Sequence, residues 1–257
     1  MYDYVIVGGG RAGISAVEGI RELDQSGSIL LVGVEPHLPY DRPPLSKQLW
    51  SGKKTVDEVF VHDAGYFKGE NIRLATSERV IEVRPAEKAV VTDQGRSESY
   101  GKLLLATGGE PKRLRIPGAG LEGVVYYRTL DHYKALSRDP KGKSILVVGG
   151  GFIGSEIAAA LNQRGARVTM VFPGRYLCES VFPASLALSS RSLTSIPFRT
   201  LSPAPIASST SGSTPAPTTI VSHSSRSPCC VWATNPPFFG AIEVRRFPPR
   251  MRMPRSS

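Results

Sequence analysis

Tyr4-Val5-Ile6-Val7-Gly8-Gly9-Gly10-Arg11-Ala12-Gly13 joins a short apolar run to a turn of pattern G-x-G-x-x-G. Ala12, Ile14, Ala16, Val17 and Ile20 carry the chain onward at mostly helical spacing. Strand, glycine turn and helix in that order form a dinucleotide-binding unit. The first glycine makes the tight turn, the second admits a pyrophosphate, and the third lets helix and strand pack closely. The phosphates then sit on the helix N-terminus, where free N–H groups and the dipole favour negative charge. Residues 28–34 follow as a nearly continuous apolar strand, as expected when both sheet faces are covered. Glu35 comes next, 22 residues after Gly13. From that place an acid accepts hydrogen bonds from adenosine ribose hydroxyls.

The same grammar returns at Ser144-Ile145-Leu146-Val147-Val148-Gly149-Gly150-Gly151-Phe152-Ile153-Gly154. A helix is expected from 152 to about 164 and a strand at 167–171. One glycine turn is a weak signal. Two, each after an apolar strand and one with a placed acid, predict two dinucleotides and the passage of a hydride from a nicotinamide to a flavin. The fold class is therefore α/β: a Rossmann-like domain binding FAD or NAD(P), then a second, partial Rossmann-like unit, then a disordered C-terminal tail. Between the turns, β-like runs stand at 80–83, 89–92 and 102–105, the last ending in Ala106-Thr107-Gly108-Gly109. Residues 110–143 read as a connector with a helix near 129–136.

The chain has 257 residues, a net charge of +10 and 40% hydrophobic residues. The charge taken alone hints at nucleic acid. Its location weakens that hint. Eight of the 32 Lys and Arg residues are arginines beyond Leu188, where Glu243 is the one acid. The body before them holds 24 basic and 21 acidic residues, an ordinary balance for an enzyme. Cys178, Cys229 and Cys230 form no zinc pattern, and His37, His62, His132 and His223 are scattered, so no metal site is expected. No apolar run reaches the length of a membrane span. The first strand begins so close to Met1 that a secretory signal has no room, and a cytoplasmic location is expected.

From residue 189 the composition changes to Ser, Pro, Thr and Arg, with no lysine or aspartate. Such a segment buries too little apolar surface to offset its ordering entropy. A natural disordered tail is one reading. An out-of-frame translation is the favoured one, because the change falls mid-helix, inside a half-built nucleotide domain.

The residues around the two turns are more specific than the turns themselves. Leu38-Pro39-Tyr40-Asp41-Arg42-Pro43-Pro44-Leu45-Ser46-Lys47-Gln48-Leu49-Trp50, Ala106-Thr107-Gly108-Gly109-Glu110-Pro111 and Val148-Gly149-Gly150-Gly151-Phe152-Ile153-Gly154-Ser155-Glu156 carry a resemblance. Over residues 1–188 the chain resembles the FAD-dependent pyridine nucleotide oxidoreductases of the ferredoxin and rubredoxin reductase type, a group that includes apoptosis-inducing factor.

The resemblance implies an FAD-binding part at 1–111, a partial NAD(P)H-binding part at 112–188, and a disordered or out-of-frame tail at 189–257. It implies that Gly8, Gly10, Gly13 and Glu35 hold the ADP half of FAD, that Arg42 and Lys47 contact the flavin, and that Ala106, Thr107 and Gly108 pass it. It gives Gly149, Gly151, Phe152, Ile153 and Gly154 to the nicotinamide cofactor. Lys47 and Glu156 are the expected catalytic residues, Glu156 at the nicotinamide and similarly placed to pair with Lys47. A cation near the flavin ring stabilises its reduced form.

With no cysteine before Cys178, reduction of a disulfide beside the flavin is not expected. The implied partner is a ferredoxin- or rubredoxin-like electron-transfer protein, with neither nucleic acid nor membrane. The family's acid after the second nucleotide strand is replaced by Phe172-Pro173-Gly174-Arg175, so the resemblance alone favours NADH over NADPH. The alternative is an inactive, truncated or frameshifted fragment that retains only weak nucleotide binding.

Overall fold

Val5 and Val7 bury on one face of the first strand and Ile6 on the other, which makes that strand the centre of a sheet covered on both sides. A computed structural model describes residues 1–172, 176–179, 181–183 and 185, together with three backbone strands within 218–234. The chain divides into two units, Met1–Gly109 and Glu110–Ser257.

The first unit runs β1 (Tyr2–Val7), α1 (Arg11–Leu23), β2 (Ile29–Val32), 3-10 turns at Pro43–Ser46 and Asp57–Val59, and α2 (Ala64–Gly69). Then come β3 (Ile72–Ala75), β4 (Val80–Arg84), β5 (Ala89–Thr92) and β6 (Ser97–Leu105). The sheet order is β3-β2-β1-β6-β5-β4. The first four strands are parallel, and β4, β5 and β6 form an antiparallel meander. β6 serves both parts: Ser97 to Ser99 pair with β5, and Tyr100 to Leu105 pair mainly with β1. Chain order proceeds from β1 outward through β2 and β3, then returns to β1's other side at β6. That reversal is a topological switch point, where open α/β sheets bind ligands beyond the carboxyl ends of their strands.

One face of this sheet packs Val5, Val7, Leu30 and Val32 with Val90 and Tyr100 of the meander. The other packs Ile6, Ile29, Leu31 and Ile72 with Ile14 and Val17 of α1 and Phe67 of α2. Full burial of a side chain such as Ile14 stabilises the fold by about 1.5–3 kcal/mol.

Asp24 ends α1 and organises the turn into β2. Its carboxylate accepts from Gly27 N at 2.8 Å, Ser26 N at 3.1 Å and the Tyr4 hydroxyl at 3.0 Å. These bonds hold its pKa below the ordinary carboxylate value, the Gly27 N–H contributing most. A depressed acid stabilises the fold above its unfolded pKa, and that stabilisation is lost as pH falls through the folded value. Asp24→Asn therefore lowers Tm at pH 7, and its gap to the parent chain narrows below about pH 4 in thermal melts.

The second unit contains β7 (Val124–Tyr127), α3 (Leu130–Ser137), β8 (Ser144–Val148), α4 (Phe152–Gln163) and β9 (Arg167–Val171). β8 and β9 pair in parallel. Thr129 caps α3 by a reciprocal box, its hydroxyl accepting from His132 N while His132 Nδ1 accepts from Thr129 N. That accounts for His132 as a capping residue.

Of residues 189–257 the structure describes only β10 (Thr218–Ser224), β11 (Ser227–Pro228) and β12 (Cys230–Thr234). These strands lie within the stretch expected as a disordered or out-of-frame tail. β12 pairs antiparallel with β8, and β10 pairs in parallel with β7. The physical reason is an open edge: β9 covers one side of β8, and unpaired N–H and C=O groups on the other accept a β-prone segment. Thr219-Ile220-Val221 and Val231-Trp232 are such segments. The rest of the tail, and most of residues 183–188, which read as the start of another helix, lie outside the described residues.

Candidate functional site

In the first unit the ends of β1, β2 and β6 bring together Gly8, Gly10, Gly13, Glu35, Arg42, Ala106, Thr107 and Gly108. Gly8 takes φ +124°, and a Cβ there would lie 2.1 Å from the Ala106 carbonyl oxygen. Gly8 is therefore the point where the turn passes against the end of β6. Gly13 packs α1 onto the turn, since a Cβ there would lie 2.0 Å from the Gly8 carbonyl oxygen. Gly10 differs from both. A Cβ on it would meet nothing within 4 Å. Gly10 is also the N-cap of α1, and no side chain caps that end, nor does an acid stand in its first turn. The arrangement is an open cradle with helix N–H groups at its floor, which fits a pyrophosphate.

Glu35 is fixed from two directions. Its backbone carbonyl accepts from Ser77 N at 3.1 Å, and Gly33, two residues before it, donates to Ala75 O and accepts from Glu78 N. Its carboxylate accepts from Arg42 Nη2 at 2.6 Å and from the Tyr40 hydroxyl at 2.6 Å. The structure thus brings Arg42 to the Glu35 carboxylate. Lys47 caps the Pro43–Ser46 turn, its N–H donating to Pro44 O at 3.1 Å, and it is exposed. Beside it, Gln48 Oε1 is buried with no hydrogen-bond partner among the described residues. A buried acceptor in that state can take a donor from a ligand or a water.

In the second unit, Gly149 takes φ +122° and Gly151 caps α4 with no side-chain bond and no acid in the first turn. Glu156 lies one residue beyond the first turn of α4 and is half-buried. The macrodipole fades over that distance, so its effect on Glu156 is small. Gly150 has a different reason from its neighbours: a Cβ would lie 2.7 Å from the Phe172 ring. Phe172, standing where the family's acid was sought, covers the turn. Phe152 is 44% exposed and meets Phe182 edge-on at 5.6 Å. Cys178 is buried, and its N–H donates to Gly150 O at 2.6 Å. It therefore braces the second glycine turn. Arg175 and Pro173 lie outside the described residues.

Sequence reasoning missed Tyr40 as a partner of Glu35, and the pair that buttresses the Glu35 loop, Glu78 with Arg96. Glu78 is 2% exposed and is held bidentately, Arg96 Nε to Oε1 at 2.8 Å and Nη2 to Oε2. Tyr40 stood in the quoted string five residues after the acid, which is its one available signal. Glu78 and Arg96 are 18 residues apart with no motif between them.

Comparison with known proteins finds ferredoxin and rubredoxin reductases among the relatives. The chain is 37% identical over 171 residues to the 5,5'-dehydrodivanillate O-demethylase ferredoxin reductase subunit of Sphingobium sp., covering 66% of this chain and 42% of that protein. It is 34% identical over 186 residues to the rubredoxin-NAD(+) reductase of Pseudomonas putida, covering 72% of this chain and 48% of that protein. Among solved structures, the putidaredoxin reductase in its covalent complex with putidaredoxin matches with a TM-score of 0.70 at 30% identity, over 75% of this chain and 47% of that one. The chain thus spans less than half the length of each. The model of the pyridine nucleotide-disulphide oxidoreductases matches residues 2–190, and the chain belongs to that family.

Proposed function

We propose that this chain is the nucleotide-binding part of a flavoprotein oxidoreductase that passes electrons from NAD(P)H through FAD to a ferredoxin- or rubredoxin-like protein. One observation carries the reading: an open glycine turn and a fixed acid meet at the switch point of the first sheet. Bound FAD would supply a hydride acceptor that releases electrons singly. The chain's own residues do the rest. The N–H groups at the start of α1 hold the pyrophosphate, and Gly10 leaves it room. Glu35 accepts from the ribose. Ala106, Thr107 and Gly108 carry the chain past the cofactor. Lys47 places a cation at the flavin, and Gln48 offers its buried acceptor. In the second unit, Gly149, Gly151, Phe152, Ile153 and Gly154 hold the nicotinamide nucleotide, and Glu156 orients its reacting end.

The electron-transfer partner follows from the named relatives and from chemistry. Residues 1–177 contain no cysteine, so a thiol relay beside the flavin has no candidate there. Among the described residues no helix is long and apolar enough to cross a membrane. We place the protein in the cytoplasm.

The test is anaerobic addition of NADH to the FAD-loaded chain. Loss of the visible flavin band is the expected result, and Glu156→Gln slows it about 100-fold while FAD stays bound. A loaded chain whose flavin band NADH leaves unchanged contradicts the assignment of the second unit.

A second reading concerns residues 189–257. The family match ends at residue 190, within two residues of the change in composition. That coincidence supports an out-of-frame origin for the tail, and with it an inactive fragment that binds nucleotide weakly. The coding DNA decides: one of the other two frames should continue the family sequence past codon 188. If neither does, the tail belongs to the protein.

A further inference from the structure

Tyr40 is held rigidly where its hydroxyl meets the Glu35 carboxylate. Its residue is 4% exposed. Its ring stands edge-on to His37 and Phe60, each at 6.4 Å. Its backbone is pinned, with Val61 N donating to Pro39 O and Asp41 N to Val59 O. The hydroxyl is therefore delivered to one place by rigid surroundings. There it donates to Glu35 Oε2 at 2.6 Å and accepts from Arg42 Nη1 at 3.3 Å. Arg42 Nη2 in turn donates to Glu35 Oε1 at 2.6 Å. The three side chains form a closed ring with each Glu35 oxygen engaged once.

A carboxylate has about four lone-pair sites, two on each oxygen. Tyr40 and Arg42 occupy one on each, which leaves one on each. A vicinal diol carries two O–H donors at a spacing that meets both oxygens of one carboxylate. Without the ring, Glu35 would rotate about its side-chain torsions, and ordering it would cost binding free energy.

We infer that Tyr40 is a positioning residue: with Arg42, it fixes the Glu35 carboxylate so that both oxygens face the 2′- and 3′-hydroxyls of the adenosine ribose of FAD. This rests on the assignment of FAD to the first unit. The bland account is that Tyr40 merely fills space between His37 and Phe60 and satisfies its own hydroxyl.

The two accounts differ in selectivity rather than in affinity alone. The experiment titrates the full chain with FAD, and with FAD whose adenosine ribose lacks the 2′-hydroxyl, reading the change in flavin fluorescence. The parent chain should prefer FAD by about tenfold, one hydrogen bond to a charged group. Tyr40→Phe keeps the ring and removes the hydroxyl. It should weaken FAD about tenfold and the deoxy analogue much less, so that the preference falls toward one. In a Glu35→Gln background, Tyr40→Phe should leave the ratio unchanged. An unaltered preference in Tyr40→Phe, whether or not both affinities fall together, overturns the inference and leaves the FAD assignment standing. A parent chain that binds neither ligand overturns both.

Discussion

Gly8→Ala destabilises the protein by about 4 kcal/mol, whereas Gly10→Ala melts with the parent chain and fails to hold flavin. The contrast comes from what each position faces. At Gly8 an alanine must adopt φ +124°, which L residues rarely take, at a strain of about 1–3 kcal/mol. Its Cβ must also displace the Ala106 carbonyl, 2.1 Å away on the residue after β6, whose N–H is held by Val7 O, for about 1–3 kcal/mol more. Backbone cannot rotate aside as a side chain can. At Gly10 neither cost arises: φ is −93° and nothing lies within 4 Å. The methyl group instead fills the space assigned to the pyrophosphate. Thermal melts read the first effect and FAD titration the second. A Gly10→Ala variant that binds FAD as the parent does would remove the cradle from the account.

Arg96→Met costs about 3 kcal/mol, a fall in Tm of roughly 5–10 °C. Glu78 lies 2% exposed beneath Arg96, and removing the guanidinium leaves a buried carboxylate alone. The figure sits at the low end for a broken buried pair because the Arg96 side chain is 42% exposed, which leaves water a route to the acid. Arg84→Met is the control. Arg84 and Glu82 also pair, but are 41% and 50% exposed, so that loss is under about 1 kcal/mol. The pair at Glu78 matters to the site because Glu78 N donates to Gly33 O, two residues before Glu35. Differential scanning calorimetry on both variants checks the ordering. Equal losses would show that burial does not decide.

The first nucleotide unit was legible because each step has a local cause. The strand is apolar, the turn demands glycine, the helix has its period, and the acid follows at a set distance. β4 and β5 were legible for the same reason, as β-branched runs. β6 is longer than the expected 102–105, since Ser97-Glu98-Ser99 has no apolar signal and is strand only because β5 pairs with it. α2 contains Gly65 and Gly69 and is a poor helix by propensity. Its Asp63 cap and the burial of Phe67 hold it, and neither has a period to read. β7 was read as connector, although Val124-Val125-Tyr126-Tyr127 is strand-like, because four residues alone cannot be told from an apolar loop.

The site divides the same way. Glycines and Glu35 declare themselves by spacing. The ring of Glu35, Tyr40 and Arg42 depends on residues 39–41 lying beside 59–61, a pairing no sequence period announces. The burial of Glu78 likewise comes from the meander closing over it, which no sequence period announces.

The central claim is that the first unit holds FAD by its ADP half. Calorimetric titration of the purified chain with FAD, and separately with FMN, tests it most directly. FMN has the flavin ring and one phosphate but no adenosine for the glycine turn and Glu35 to hold. The account predicts one FAD bound per chain and FMN weaker by about 100-fold or more. A chain that stays colourless with FAD, or that takes FMN as tightly, contradicts it.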